Sequence, residues 1–122
     1  MSDSLQEWRV AAPEQVNDPG ALEFKVGDGS WPFRGFVVRW QGSLYAYENV
    51  CPHAGHPLNF RPDGFFNPDR TLLICSSHGA VFAPDSGECV AGPCAGECLK
   101  RLSCREEEGG IYVRAPDTQQ AG

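Results

Sequence analysis

The sequence lacks any apolar run near the ~20 residues that a membrane-spanning helix needs. Its opening, MSDSLQEWRV, has no apolar h-region of a secretory signal. These absences lead to the expectation of a soluble, cytoplasmic chain with no membrane partner, whose thiols stay reduced. Positive charge is also scarce: 10 Lys and Arg stand against 16 Asp and Glu, for a net charge of −6. Such a balance disfavours nucleic acid and anionic membranes as partners. It suits a partner protein with a basic docking patch, and equally serves solubility alone. No internal repeat is visible, and no stretch carries a convincing helical period.

Turn-forming residues are abundant, with 14 glycines and 10 prolines among 122 residues. They point to short strands joined by many turns, hence to an all-β fold. A hydrophobic content of 41% is enough for one domain with a modest core. Trp8 to Ala11 reads as a first strand, with a turn around Pro13. In Ala21 to Val26, Leu22, Phe24 and Val26 fall on one side, as in a half-buried strand. Gly35 to Trp40 and Leu44 to Tyr47 flank Gln41-Gly42-Ser43 as a hairpin. Thr71 to Ile74 is a short apolar run, and Val81 to Ala83 pairs with Glu88 to Val90 across a turn at Pro84 to Gly87. Leu99 to Cys104 and Ile111 to Arg114 read as a last hairpin around Glu106 to Gly110, followed by a polar tail over 116–122.

The chemistry sits between residues 51 and 78. Cys51-Pro52-His53 is followed, after Ala54 to Ile74, by Cys75-Ser76-Ser77-His78-Gly79. Two short Cys/His pairs on separate turns can place two thiolates and two imidazoles around one metal centre. Pro52, Gly55, Pro57 and Gly79 are what such tight turns require. Tetrahedral zinc remains open on residue types alone. Zinc fingers, however, pair Cys with Cys and His with His, whereas each pair here is mixed.

One Cys and one His from each turn is the pattern of a Rieske [2Fe–2S] centre, where two histidines replace two cysteines on one iron. The chain strongly resembles the Rieske iron–sulfur family on these residues, and the likeness extends through Leu44-Tyr45-Ala46-Tyr47 leading into Asn49-Val50-Cys51. The resemblance implies antiparallel sheets over residues 1–115, with a small cluster-binding subdomain at about 49–93. It also implies one [2Fe–2S] cluster per chain, held by Cys51, His53, Cys75 and His78. Cys51 and Cys75 would be thiolates on an iron that stays ferric, and His53 and His78 neutral imidazoles with their outer edges facing a partner. No catalytic residue is implied. The implied role is a one-electron carrier between a reductase and a terminal oxygenase or similar acceptor, like the soluble ferredoxins of bacterial aromatic-ring dioxygenase systems. The alternative is an accessory or redox-sensing subunit of a larger enzyme, like the small subunit of assimilatory nitrite reductases.

Departures from the family pattern refine this reading. High-potential members clamp the two turns with a disulfide, but His56 and Ser77 stand at those positions. Such members also direct a serine and a tyrosine hydroxyl to the cluster region, where this chain has Ala80 and Phe82. Hydrogen bonds to cluster sulfur favour the reduced form, so their loss implies a low potential. The spacer from His53 to Cys75 is longer than usual, with the excess placed at Phe60 to Arg70. Phe65 and Phe66 there mark either a partner surface or packing over the first turn. His56 reads as a plain loop histidine. Cys89, Cys94, Cys98 and Cys104 read as reduced thiols, with a disulfide or a second metal site as the alternatives. Gly92-Pro93 looks like the family's proline loop beside the cluster.

Overall fold

Alternation along the second and third strands builds one sheet with two apolar faces, and a cluster of buried residues packs against each. The computed structural model describes residues 5–27, 33–51, 58, 64–75, 79–92 and 96–116. Among the described residues ten strands, all paired antiparallel, form three sheets: β1 (Leu5–Ala11), β2 (Gly20–Val26), β3 (Phe33–Trp40), β4 (Ser43–Glu48), β5 (Leu73–Ile74), β6 (Val81–Phe82), β7 (Cys89–Ala91), β8 (Arg101–Leu102), β9 (Cys104–Glu107) and β10 (Gly110–Pro116). The central sheet runs β2-β3-β4-β8, and the others run β1-β10-β9 and β5-β6-β7. A single 3-10 turn at Pro13–Gln15 is the one helical element among the described residues.

Strand geometry sends successive side chains to opposite faces, and the central sheet shows it. Phe24, Val26, Val37, Ala46 and Leu102 face a cluster completed by Ile111, Val113 and Ala115 of β10. Ala21, Phe36, Val38 and Tyr47 face a second cluster with Phe65, Leu73, Phe82, Cys89 and Leu99. The central sheet is therefore the middle layer. Gly35 lies opposite Phe24 on the neighbouring strand, and a Cβ there would come within 2.5 Å of the Phe24 ring. Only glycine lets that ring lie flat over β3.

Gln41 and Gly42 have φ of 52° and 83°, the two positive values that a tight primed hairpin turn requires. The Asp18 carboxylate receives both of their N–H groups, at 3.0 and 2.7 Å, and so ties the hairpin tip to the loop before β2. Arg39 of β3 donates to Glu106 of β9 at 2.9 and 3.2 Å, linking the central sheet to the β1-β10-β9 sheet. Arg105 joins Glu7 across the latter sheet at 2.6 and 2.8 Å.

One strand expected as continuous is divided. Leu99 to Cys104 breaks near Ser103: Arg101 and Leu102 pair with β4, whereas Cys104 to Glu107 pair with β10. The chain changes sheets at this point because Leu102 packs on the central sheet while β9 follows the hairpin with β10. That hairpin is also tighter than its glutamate-rich sequence suggests, since Glu107 pairs directly with Gly110.

Candidate metal centre

Both expected sulfur donors stand where a strand ends on the same face of the central sheet. Cys51 follows β4, and Cys75 follows β5. Each is 0% exposed, and both belong to the cluster containing Leu58, Leu73, Ala80 and Phe82. His53 and His78 lie outside the described residues, as do His56, Ser77 and Cys94.

The backbone closes the second segment at its base. Cys75 N–H donates to the Ala80 carbonyl at 2.8 Å, and Gly79 N–H donates back to Cys75 at 2.9 Å. Gly79 takes a φ of 74°, a conformation open to glycine at little steric cost. These bonds bring residues 75 and 80 together around the segment that carries His78. The first segment closes differently, through a side chain: the Asn49 carboxamide oxygen accepts the Leu58 N–H at 2.9 Å. Asn49 N–H in turn donates to the Arg34 carbonyl at 3.0 Å, which fixes the strand end just before Cys51.

A second loop crosses the 75–80 turn. Gly92, at φ 104°, runs so close that a Cβ would stand 2.7 Å from the Ala80 Cα. Side chains there would push the covering loop away from the turn. Pro93 itself lies outside the described residues.

The donor chemistry fits an iron–sulfur group. Sulfur donors in a dry apolar shell suit a soft, thiolate-ligated centre, whereas hard cations need carboxylate or carbonyl oxygens. Asn49 is buried as well, and its amide is committed to Leu58 and to Glu23.

Ala80 and Phe82 are buried and carry no hydroxyl. Tyr47 lies in the same apolar cluster, but its hydroxyl donates to the Pro84 carbonyl at 2.8 Å. Burial pushes the Tyr47 phenol far above its ordinary value, against the opposing pull of Arg101, so it stays a protonated donor.

The remaining cysteines divide between two places. Cys89 is buried in the cluster that contains Cys51 and Cys75. Cys104 packs against the other face of the central sheet, where burial pushes its thiol up and its sulfur donates to the Leu44 carbonyl. No single second centre can draw on both. Cys98 is an exposed thiol.

The residue pattern singles out the expected donors and misses the residues that tie down the strand end before Cys51: Glu23, Arg34 and Asn49. The available signal was a polar Asn49 between the apolar alternation of β4 and Cys51. Phe65 and Phe66 are also resolved. Phe65 is fully buried and stacks on Phe36, with ring centroids 4.2 Å apart, while half-buried Phe66 lies against Trp40 at 6.1 Å.

The Rieske [2Fe-2S] domain family matches residues 6–106. The ferredoxin of carbazole 1,9a-dioxygenase from Nocardioides aromaticivorans IC177 is 28% identical, with 91% of this chain and 98% of that one covered and a TM-score of 0.69. A chain of the complex of reduced oxygenase and oxidized ferredoxin in carbazole 1,9a-dioxygenase is 21% identical, with coverage of 91% and 94% and a TM-score of 0.69. The terminal oxygenase of carbazole 1,9a-dioxygenase from Novosphingobium sp. KA1 is 19% identical, at a TM-score of 0.75. This chain covers only 31% of that oxygenase, with 94% of its own length aligned. Likeness at these last two identities speaks for the fold alone. No curated protein matches the chain.

Proposed function

The chain belongs to the Rieske [2Fe-2S] domain family, and from that premise we propose that it is a low-potential one-electron carrier between a reductase and a terminal oxygenase or similar acceptor. It carries one [2Fe–2S] cluster and is not itself a catalyst. The observation that carries the reading is the near end-to-end correspondence, 91% of one chain and 98% of the other, with a ferredoxin of a dioxygenase system. Among the described residues no helix is long and apolar enough to cross a membrane. We place the protein in the cytoplasm, as one Rieske domain over 1–115 whose cluster-binding part spans about 49–93.

Cys51, His53, Cys75 and His78 are the ligands in this reading. Their support is the mixed Cys/His spacing and the complete burial of both sulfurs in one apolar shell. When bound, the cluster supplies reversible one-electron chemistry, at a potential that its histidine ligands raise above that of all-cysteine clusters. The chain's own residues keep water from the sulfurs and close the two segments at their bases.

The direct test is anaerobic purification with iron and sulfide assays, then an EPR spectrum after dithionite reduction. Two irons per chain and a rhombic signal of low average g are expected. Zinc, or no metal, would overturn the reading.

A low potential, near the bottom of the ~−150 to +300 mV Rieske range, is supported by the missing hydroxyls at Ala80 and Phe82. Ala80→Ser should raise it. A hydrogen bond that favours the reduced form by about 1 kcal/mol corresponds to roughly 40 mV for one electron. Redox titration of the variant reads the shift, and an unmoved midpoint would mean that the hydroxyl does not reach the cluster.

Docking is also testable. With a net charge of −6, association with a basic partner surface should slow as salt rises. Stopped-flow reduction by the cognate reductase, measured from low to physiological ionic strength, checks this. Rates independent of salt would assign docking to apolar contacts instead.

A further inference from the structure

We propose that Asn49, held in place by Glu23 and Arg34, is the positioning residue for the first ligand-bearing turn. The inference rests on the assignment of Cys51 and His53 as ligands. It arises from a chain of bonds that the metal chemistry does not itself require. Asn49 is 1% exposed at the end of β4. Its Oδ1 accepts the N–H of buried Leu58 at 2.9 Å, and its Nδ2 donates to Glu23 Oε2 at 3.1 Å. The same Glu23 oxygen receives Arg34 Nε at 2.7 Å and a second guanidinium nitrogen at 2.6 Å. Arg34 also accepts the Asn49 N–H through its backbone carbonyl, at 3.0 Å.

The two ends of the segment between Asn49 and Leu58 are thus joined by one side chain, and Cys51 and His53 lie between them in sequence. Only a carboxamide suits the place. The Leu58 amide needs an acceptor and the Glu23 carboxylate needs a donor, and asparagine offers one of each. An aspartate would set a second negative charge against Glu23, and a leucine would take the side-chain acceptor from the Leu58 N–H and one donor from Glu23, leaving it Arg34. The Glu23 side chain is itself only 10% exposed. A carboxylate so far from water is tolerated where it is paired and hydrogen-bonded, and here it is paired on one side by Arg34 and on the other by Asn49. The Arg34–Glu23 pair spans β2 and β3, so the position of the turn is referred to the central sheet rather than to its own loop.

The test compares four full-length proteins, each purified anaerobically: the wild type, Asn49→Ala, Asn49→Asp, and the double variant Glu23→Gln with Asn49→Asp. The double variant keeps the net charge and reverses the pair, the amide nitrogen at position 23 donating to the carboxylate at position 49 while its carbonyl oxygen turns to the Arg34 guanidinium. Hydrogen–deuterium exchange read by mass spectrometry follows peptides covering residues 50–58, with peptides of β10 as the reference. Iron loss to a strong chelator is timed in the same samples.

Exchange over 50–58 should quicken about tenfold or more in Asn49→Ala and Asn49→Asp, with β10 unchanged. The double variant should return to within roughly threefold of the wild type, and iron loss should follow the same order. A tenfold change corresponds to about 1.4 kcal/mol of local opening. Exchange at 50–58 unaltered in Asn49→Ala overturns the proposal. So does equal quickening at β10, which marks general destabilisation, or a double variant no better than Asn49→Asp. Should the wild type hold no iron, the ligand assignment fails, and the exchange pattern still decides whether Asn49 fixes the turn.

Discussion

Replacing Cys51 or Cys75 by alanine is expected to abolish the metal centre: the two irons per chain fall to background, and the reduced-state EPR signal disappears. If Cys51 and Cys75 are the two thiolates that a Rieske centre places on one iron, losing either would leave that iron with a single bond to the protein. Beside Cys51 and Cys75, the further thiol of their cluster among the described residues is Cys89, and it donates to the Ala91 carbonyl at 3.3 Å. The shell around these sulfurs is Leu58, Leu73, Ala80 and Phe82, and the buried amide of Asn49 is already bonded. Cys104→Ala is the matched control, because Cys104 packs against the opposite face of the central sheet. It should keep both irons and an unaltered spectrum. A Cys51→Ala or Cys75→Ala protein that retained two irons and the wild-type signal would remove that residue from the ligand set.

The second large effect is on stability. Phe65→Ala should cost about 3–5 kcal/mol, the usual range for removing a buried phenylalanine. For a chain of this size that lowers the thermal midpoint by roughly 10 to 20 °C. Phe65 is 0% exposed and its ring stacks on Phe36 at an interplanar angle of 17°. Its carbonyl also accepts the Ile74 N–H at 2.8 Å, one residue before Cys75. Truncation therefore opens a cavity in the same apolar cluster that holds both sulfurs. Phe66→Ala, at a half-buried site against Trp40, should cost about 1–2 kcal/mol. Thermal unfolding followed by circular dichroism compares the two. Equal small shifts would mean that the long spacer rides on the surface rather than entering the core.

That second prediction could not have been placed from the sequence, which left Phe65 and Phe66 divided between a partner surface and packing. The pair is adjacent, and aromatic residues are common in both settings. What separates them is the isolated bridge between Phe66 and Leu73 and the bond from Ile74, which turn the spacer back along β5 and point Phe65 toward Phe36. Those partners are distant in sequence, and no local pattern records them. By contrast, the hairpin at Gln41-Gly42 was legible, because a glycine turn between two β-branched and aromatic runs is a short-range signal. The strand through Leu99 to Cys104 was half legible. Its β character is local, but its change of sheet near Ser103 depends on where β4 and β10 lie.

The same division holds at the metal centre. The sequence by itself determined the class of fold and the kind of chemistry. Strand periodicity and turn residues are local properties, and two mixed Cys/His pairs at this spacing are a local signal too, one that carries the resemblance to the Rieske family. Tertiary structure decided how those turns are held. Glu23, Arg34, Asn49 and Leu58 meet through hydrogen bonds between residues 9, 11 and 26 positions apart. A buried amide finds its donor and acceptor only after the strands that carry them have paired. Long-range pairing also put Cys89 and Cys104 on opposite faces of one sheet, a separation that their closeness in sequence conceals.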